Sequence, residues 1–171
     1  MKNIILIGFM GVGKGTIARA YAKEYSAFCI DTDDLIESME NRKIKDIFNT
    51  EGEEYFRILE QKCAKWLSSS VKNSIISTGG GFFKVKDLKK IGSVVLLDSS
   101  FDAILKRIVE HPNAQKKLAK RPLFQDQKEA KKLYKERVKE YKKVADIIID
   151  VEDKTPLKIV KEIYKVVRKK D

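Results

Sequence analysis

Short apolar runs alternate along the chain with longer segments in which apolar residues recur every three or four positions. Five of the short runs are rich in branched residues and bounded by turn-forming residues, which predicts strands over residues 3–7, 28–30, 74–77, 93–97 and 146–151. Helical spacing is clearest where Phe56, Leu59 and Cys63 recur, and Trp66 continues that spacing into the expected core. This alternation predicts an α/β fold in which helices sandwich a five-stranded parallel sheet in three layers.

Length and composition fit one domain over residues 1–171. Hydrophobic residues make up 43% of the chain, and neither a linker nor an internal repeat interrupts it. Residues 111–127 break the alternation because they are polar, contain Pro112 and Pro122, and show no core periodicity. Such a segment is either a mobile lid or simply a solvent-exposed loop.

Positive charge is concentrated in the last third of the sequence. The net charge is +11, with +1 over residues 1–105 and +10 over residues 106–171. This bias fits a nucleic acid, a membrane surface or a small polyanionic ligand, although composition alone favours a solvated lysine-rich surface. Residues 4–7 are too short an apolar run to span a bilayer, and two cysteines make no disulfide framework. A cytoplasmic protein that does not enter the membrane is expected.

The sequence GFMGVGKGT at residues 8–16 follows the first predicted strand and opens a helix, which is the context of a phosphate-binding P-loop. Backbone N–H groups of such a loop surround a phosphate, and glycine permits the dihedral angles that this requires. Lys14 would add a positive charge at the β and γ phosphates, and the helix dipole would assist it. A nucleotide site is therefore predicted at Gly11, Val12, Gly13, Lys14, Gly15 and Thr16.

The residue after the P-loop lysine departs from the usual pattern. A serine or threonine hydroxyl there ordinarily ligates Mg²⁺, but this chain has Gly15 at that position and Thr16 next. Mg²⁺ is then expected to be held by phosphate oxygens, water and a nearby carboxylate, since this ion commonly keeps several waters.

Acidic and glycine-rich segments follow the second and third predicted strands. Asp31 and Asp33 lie two residues apart, so in an extended segment both would face one cleft, while Asp34 is expected to cap the next helix. Three consecutive glycines at residues 79–81 would let the backbone approach a ligand closely. Carboxylates beside a phosphate loop suit the handling of a metal ion and a hydroxyl nucleophile.

Five motifs together resemble the shikimate kinase family, which has the P-loop kinase fold. In order, they are the phosphate loop, Asp31-Thr32-Asp33, Phe56-Arg57, Thr78-Gly79-Gly80-Gly81 and Arg121-Pro122-Leu123. The resemblance covers essentially the whole chain and implies ATP-dependent phosphorylation of the 3-hydroxyl of shikimate, a step in chorismate and aromatic amino acid biosynthesis. It also implies a cytoplasmic monomer with a mobile lid over about residues 111–126 and a substrate-binding helical segment over about residues 33–60.

The resemblance also assigns roles on the substrate side. Asp33 matches the carboxylate that holds the hydroxyl to be phosphorylated and accepts its proton. Arg57 and Arg137 match the two guanidinium groups that grip the substrate carboxylate, a planar anion that arginine can clamp and lysine cannot. The remaining substrate-side matches are Gly79, Gly80 and Gly81 at the backbone donor, and Phe48 and Phe56 as apolar walls.

On the nucleotide side, the resemblance implies ATP and Mg²⁺. Lys14 and Arg121 match the cations on the transferring phosphate, and Arg121 belongs to the lid. Asp31 matches the carboxylate that reaches Mg²⁺ through water, while Gly15 stands where the family usually has a hydroxyl ligand. Arg107 and Pro156 match the adenine-contacting parts.

Three other functions stay open. A gluconate-type kinase would share the fold and the phosphate loop, whereas an adenylate-type kinase would share Lys14-Gly15-Thr16 but fits the triple glycine poorly. A nucleotide-regulated nucleic-acid-binding protein would suit the basic last third. Because the chain shows neither a stacking platform nor a recognised nucleic-acid motif, no nucleic-acid partner is expected.

Overall fold

The computed structural model describes residues 2–119 and 122–169, and a parallel sheet lies at its centre. The strands are β1 (Asn3–Ile7), β2 (Phe28–Asp31), β3 (Ser74–Ser77), β4 (Gly92–Asp98) and β5 (Ile147–Asp150). Their order across the sheet is β2-β3-β1-β4-β5, and all neighbouring pairs are parallel. The predicted α/β fold is confirmed, and each strand ends within one residue of its predicted bounds.

Helices flank the sheet, as the connections between parallel strands require. They are α1 (Lys14–Glu24), α2 (Thr32–Glu40), α3 (Ile44–Ser70), α4 (Leu88–Ile91), α5 (Phe101–Val109), α6 (Ala114–Ala119), α7 (Gln127–Val144) and α8 (Pro156–Arg168). Two short 3₁₀ turns occupy Phe82–Lys84 and Pro122–Gln125. Within the described ranges, no helix combines the length and the apolar character needed to cross a bilayer.

The helix α3 is broken at Gly52, which adopts φ 80° and ψ 178°. Glycine enters this region at no steric cost, so the chain can turn sharply there. The break separates Phe48 from Phe56 along the chain, yet their ring centroids lie 4.8 Å apart. The second part of α3 carries Arg57 on its first turns.

The core lies on both faces of the three central strands, because strands inside a parallel sheet are covered on either side. Cys63 is buried as predicted, but the prediction for Trp66 is wrong, since that residue is 45% exposed. The buried stripe of α3 continues from Cys63 to Leu67, four residues on, and this leaves Trp66 at its solvent side.

Residues 111–127 contain more structure than their polar sequence indicates. α6 and a 3₁₀ turn lie within them, and Phe124 is buried with its ring centroid 6.2 Å from that of Phe9 and 6.1 Å from that of Phe101. Phe124 is therefore a core residue in a segment whose sequence shows no core periodicity. That side chain ties the end of the segment to the phosphate loop.

Candidate active site

The phosphate loop leaves β1 and enters α1 in a conformation that depends on glycine. Gly11 and Gly13 have φ values of 84° and 102°, in the left-handed region that L side chains rarely adopt. A Cβ on Gly11 would also come within 2.6 Å of Cδ1 of Ile108. The loop thus brings its backbone over the N-terminus of α1, where N–H groups and the helix dipole favour a phosphate.

Lys14 is held at this loop by two backbone carbonyls. Its Nζ donates hydrogen bonds to the carbonyl oxygens of Gly8, at 2.7 Å, and Phe9, at 3.2 Å, and the side chain is buried. Gly15 and Thr16 follow it on the first turn of α1. The ammonium group therefore stays beside the phosphate cradle.

The two residues predicted on the adenine side occupy different places. Arg107, on α5, donates from Nη1 to the carbonyl of Val12 at 2.9 Å, so it borders the phosphate loop. Burial lowers the pKa of Arg107 from its usual value. Pro156 is the first residue of α8 and lines a shallow pocket with Ala20 and Glu24 of α1. A contact of either residue with adenine stays a prediction.

Asp31 ends β2 and caps α2. Its Oδ1 accepts hydrogen bonds from the backbone N–H groups of Asp33, at 3.0 Å, and Asp34, at 3.4 Å, and its Oδ2 accepts one from the hydroxyl of Ser77 at 2.9 Å. The prediction that Asp34 caps the helix is wrong, because α2 already begins at Thr32. The prediction of an extended segment through Asp33 is wrong for the same reason.

Asp33 nevertheless faces the cleft, from the first turn of α2. Its Oδ1 is buried and has no hydrogen-bond partner among the described residues. Burial raises the pKa of Asp33 to about 7, the negative charges of Asp31 and Glu60 add to the rise, and Lys14 opposes it. A carboxyl with this pKa can take up or release a proton near neutral pH, as a general base for a hydroxyl must.

The three glycines after β3 each lie against a different charged or polar side chain. A Cβ on Gly79 would be 2.6 Å from Oδ1 of Asp33, and one on Gly80 would be 3.2 Å from Nη1 of Arg137. One on Gly81 would be 2.7 Å from Cζ of Arg57. The glycine triplet therefore brings together the carboxyl and both guanidinium groups that the sequence singled out.

Arg57 is held between two carboxylates of its own helix. Its Nη2 lies 2.7 Å from Oε1 of Glu53, and its Nη1 lies 2.5 Å from Oε2 of Glu60. Glu60 is only 1% exposed, and burial raises its pKa although Arg57 opposes the rise. Sequence reasoning missed Glu60, yet a signal exists, because this acidic residue lies on the apolar stripe of α3 between Phe56 and Cys63.

Arg137 reaches the same loop from α7. Its Nη1 donates to the carbonyl of Gly80 at 3.3 Å, while its Nε is buried with no partner among the described residues. Tyr141, one turn later, donates from its hydroxyl to the same carbonyl at 2.6 Å. Burial raises the pKa of Tyr141 to about 12, so its hydroxyl remains a donor. Sequence reasoning did not single out Tyr141, which looks like any aromatic residue on an amphipathic helix.

The two phenylalanines predicted as apolar walls differ in exposure. Phe56 is buried, whereas Phe48 is 36% exposed. The guanidinium of Arg57 lies over the Phe56 ring, with Cζ 5.6 Å from the centroid. The pair therefore offers an apolar surface beside the guanidinium of Arg57.

The residues present fit Mg²⁺ only in part. Within the described portion of the chain, no group of three or more His, Cys, Asp or Glu side chains could hold a metal ion. Asp31 is the carboxylate predicted to reach the ion, and Gly15 offers no hydroxyl. Mg²⁺ prefers six oxygen ligands, so this set fits the ion only when phosphate oxygens and waters complete the shell. Arg121, the predicted lid arginine, lies outside the described residues.

Comparison with known proteins gives a consistent result. A family model described as shikimate kinase matches residues 10–168. A shikimate kinase from Helicobacter hepaticus is 44% identical over 163 residues, which cover 95% of this chain and 94% of that protein. One from Sulfurihydrogenibium sp. is 38% identical over 174 residues and covers 99% of this chain and 100% of that protein.

Solved structures agree with the sequence comparisons. The crystal structure of shikimate kinase from Aquifex aeolicus has a TM-score of 0.77 and 36% identity, covering 97% of this chain and 96% of that one. A shikimate kinase from Acinetobacter baumannii in complex with shikimate has a TM-score of 0.83 and 28% identity, covering 100% and 95%.

Proposed function

The chain belongs to the shikimate kinase family, and we propose that it transfers the γ-phosphoryl group of ATP to the 3-hydroxyl of shikimate at the site around Asp33. The product is shikimate 3-phosphate, on the route through chorismate to the aromatic amino acids. The phosphate loop of residues 8–16 holds the nucleotide, and the glycine triplet forms the floor of the acceptor site.

One observation carries this proposal. The buried Oδ1 of Asp33, which has no hydrogen-bond partner within residues 2–119 and 122–169, lies at one end of the glycine triplet, and two guanidinium groups lie along the rest of it. Neighbouring Cα atoms are about 3.8 Å apart, so the triplet spans about 7 Å. This is the scale of a small ring acid that carries a hydroxyl and a carboxylate. Arg57 and Arg137 suit the carboxylate, and Asp33 suits the hydroxyl.

Phosphoryl transfer needs little covalent chemistry from the protein, so these residues act by positioning and by stabilising charge. The acceptor oxygen forms a bond to the γ-phosphorus as the bond from that phosphorus to the bridging oxygen of ADP breaks. The proton of the hydroxyl passes to Oδ1 of Asp33. Lys14 stabilises charge on the phosphate oxygens, and we assign the same role to Arg121.

Mg²⁺ neutralises phosphate charge when it is bound, and Asp31 is the residue that we expect to hold it through water. Asp31 is well fixed for this task, because its carboxylate already accepts hydrogen bonds from two backbone N–H groups and from Ser77. Phe48 and Phe56 are proposed as apolar walls of the acceptor site. Arg107 and Pro156 are proposed to border adenine.

Residues 111–126 are proposed to form a lid whose closure excludes water, which would otherwise compete as the phosphoryl acceptor. The burial of Phe124 supports an anchored C-terminal end for this lid. We further propose a cytoplasmic monomer that acts on small molecules, without a nucleic-acid partner. The surplus lysines of residues 106–171 then form a surface that attracts ATP and an acidic substrate.

The test is ADP release from ATP with shikimate, gluconate or AMP supplied separately as acceptor. Shikimate alone should support rapid turnover. Turnover with gluconate or AMP instead would overturn the substrate assignment, and ATP hydrolysis that is indifferent to all three would overturn the kinase assignment.

A further inference from the structure

Arg19 folds back over Gly15, the residue that stands in place of the usual hydroxyl. A Cβ on Gly15 would lie 3.2 Å from Nη1 of Arg19, 3.6 Å from its Nη2 and 3.7 Å from its Cζ. The two residues are one turn apart on α1, and helix side chains lean toward the helix N-terminus. The space that a serine or threonine side chain would enter therefore borders a guanidinium group.

The guanidinium also lies near the acidic end of β2. Burial raises the pKa of the Cys29 thiol, the positive charge of Arg19 lowers it, and Asp31 and Asp34 raise it. Arg19 and Asp31 thus both lie near Cys29. Arg19 itself is exposed, so it can approach a bound molecule without breaking core packing.

This placement puts a second cation close to the phosphate loop. The N-terminus of α1 carries the positive end of the helix dipole, and Lys14 already lies beside it. A polyphosphate at the loop would attract this guanidinium, because a guanidinium donates strong hydrogen bonds to phosphate oxygens.

We propose that Arg19 supplies at the nucleotide phosphates part of the positive charge that a hydroxyl-bound Mg²⁺ supplies in other P-loops, and that Gly15 leaves the space for it. The inference rests on the proposed function, because it assumes a nucleotide at residues 8–16. It follows that this chain binds nucleotide phosphates with appreciable affinity even when Mg²⁺ is removed. Loss of the Arg19 side chain should therefore weaken nucleotide binding more in the absence of Mg²⁺ than in its presence.

The test is calorimetric titration with ADP, in EDTA and again with Mg²⁺, without shikimate. Arg19→Gln should weaken ADP binding in EDTA on the order of 10-fold, the loss of a charge-assisted hydrogen bond, and less when Mg²⁺ is present. Lys72→Gln is the matched control, since it removes one exposed charge just before the amino end of β3, whereas the phosphate loop follows the carboxyl end of β1, and it should leave both affinities unchanged.

A second variant separates the phosphate contact from a general loss of charge. Gly15→Ala keeps every charge and suits a helix, but its methyl group crowds the guanidinium and should reproduce part of the loss in EDTA. When Gly15→Ala is combined with Arg19→Gln, it should cause no further loss of ADP affinity, because both changes disrupt the same interaction. Equal affinities for the wild type and Arg19→Gln in EDTA, or equal losses with and without Mg²⁺, would overturn the proposal. A wild type that binds no ADP even with Mg²⁺ would instead count against the proposed function.

Discussion

Asp33 lies directly against Gly79, with its Oδ1 2.6 Å from the position that a Cβ on residue 79 would take. Gly81, two residues later, stands in the same relationship to the guanidinium of Arg57. Neither glycine is among the residues with positive φ, and Gly81 has φ −106°. Both positions therefore require the absence of a side chain rather than an unusual backbone conformation.

Alanine at these two glycines should affect different kinetic constants. Gly79→Ala pushes the carboxyl of Asp33 away from the acceptor hydroxyl, and a displacement of about 1 Å can lower kcat on the order of 10²-fold. Gly81→Ala displaces Arg57 and should mainly raise KM for shikimate, by about 10-fold. Steady-state kinetics with varied shikimate separates the two, and each variant serves as the control for the other. The same change in both constants for both variants would contradict this division.

The raised pKa of Asp33 predicts a pH dependence. Below about pH 7 the carboxyl of the free protein is protonated and cannot accept the hydroxyl proton, so kcat/KM for shikimate should fall about tenfold per pH unit. Above that pH the carboxylate is ionised and kcat/KM should level off. Measurements from pH 5.5 to 9, with ADP binding as a control for folding, test this. A flat profile would exclude Asp33 as the base.

Glu60 is predicted to position Arg57 and to tune Asp33. Glu60→Gln weakens the 2.5 Å ion pair with Arg57, so KM for shikimate should rise on the order of 10-fold while kcat changes less. The negative charge of Glu60 also helps to raise the pKa of Asp33, so the acidic limb of the kcat/KM profile should move to lower pH. A purely structural role would raise KM and leave that limb in place.

The two guanidinium groups at the glycine triplet should each contribute to substrate affinity. Arg57→Gln and Arg137→Gln each remove a charge-assisted contact worth about 1.5–3 kcal/mol, which corresponds to a rise in KM of about 10- to 100-fold. Arg168→Gln is a suitable control, because that guanidinium lies over the ring of Tyr164 on α8. If either variant keeps the KM of the wild type, that arginine does not bind the substrate.

The features that are local in sequence were predictable. Branched runs fixed the strands to within one residue, and the phosphate loop is recognisable because its glycines, Lys14 and the following helix are contiguous. Helix starts were less predictable, since Asp31 and Asp34 are equally good caps and the length of β2 decides between them.

Contacts between distant elements could not be read from spacing. Tyr141 became visible only when α7 met the loop after β3, whereas Glu60 is recognisable as an acidic residue on the apolar stripe of α3. The burial of Phe124 likewise depends on Phe9 and Phe101, which lie more than twenty residues before it. Helical periodicity was compatible with a buried side chain at either Trp66 or Leu67. In the folded protein Leu67 is buried and Trp66 faces solvent.

The most direct test of the central claim is turnover of Asp33→Asn with ATP and shikimate, with its affinity for ADP measured in parallel. The amide keeps the size of the carboxyl but cannot take the hydroxyl proton. Turnover should fall on the order of 10²–10⁴-fold while ADP affinity stays at the wild-type value. Turnover near that of the wild type would contradict the role assigned to Asp33.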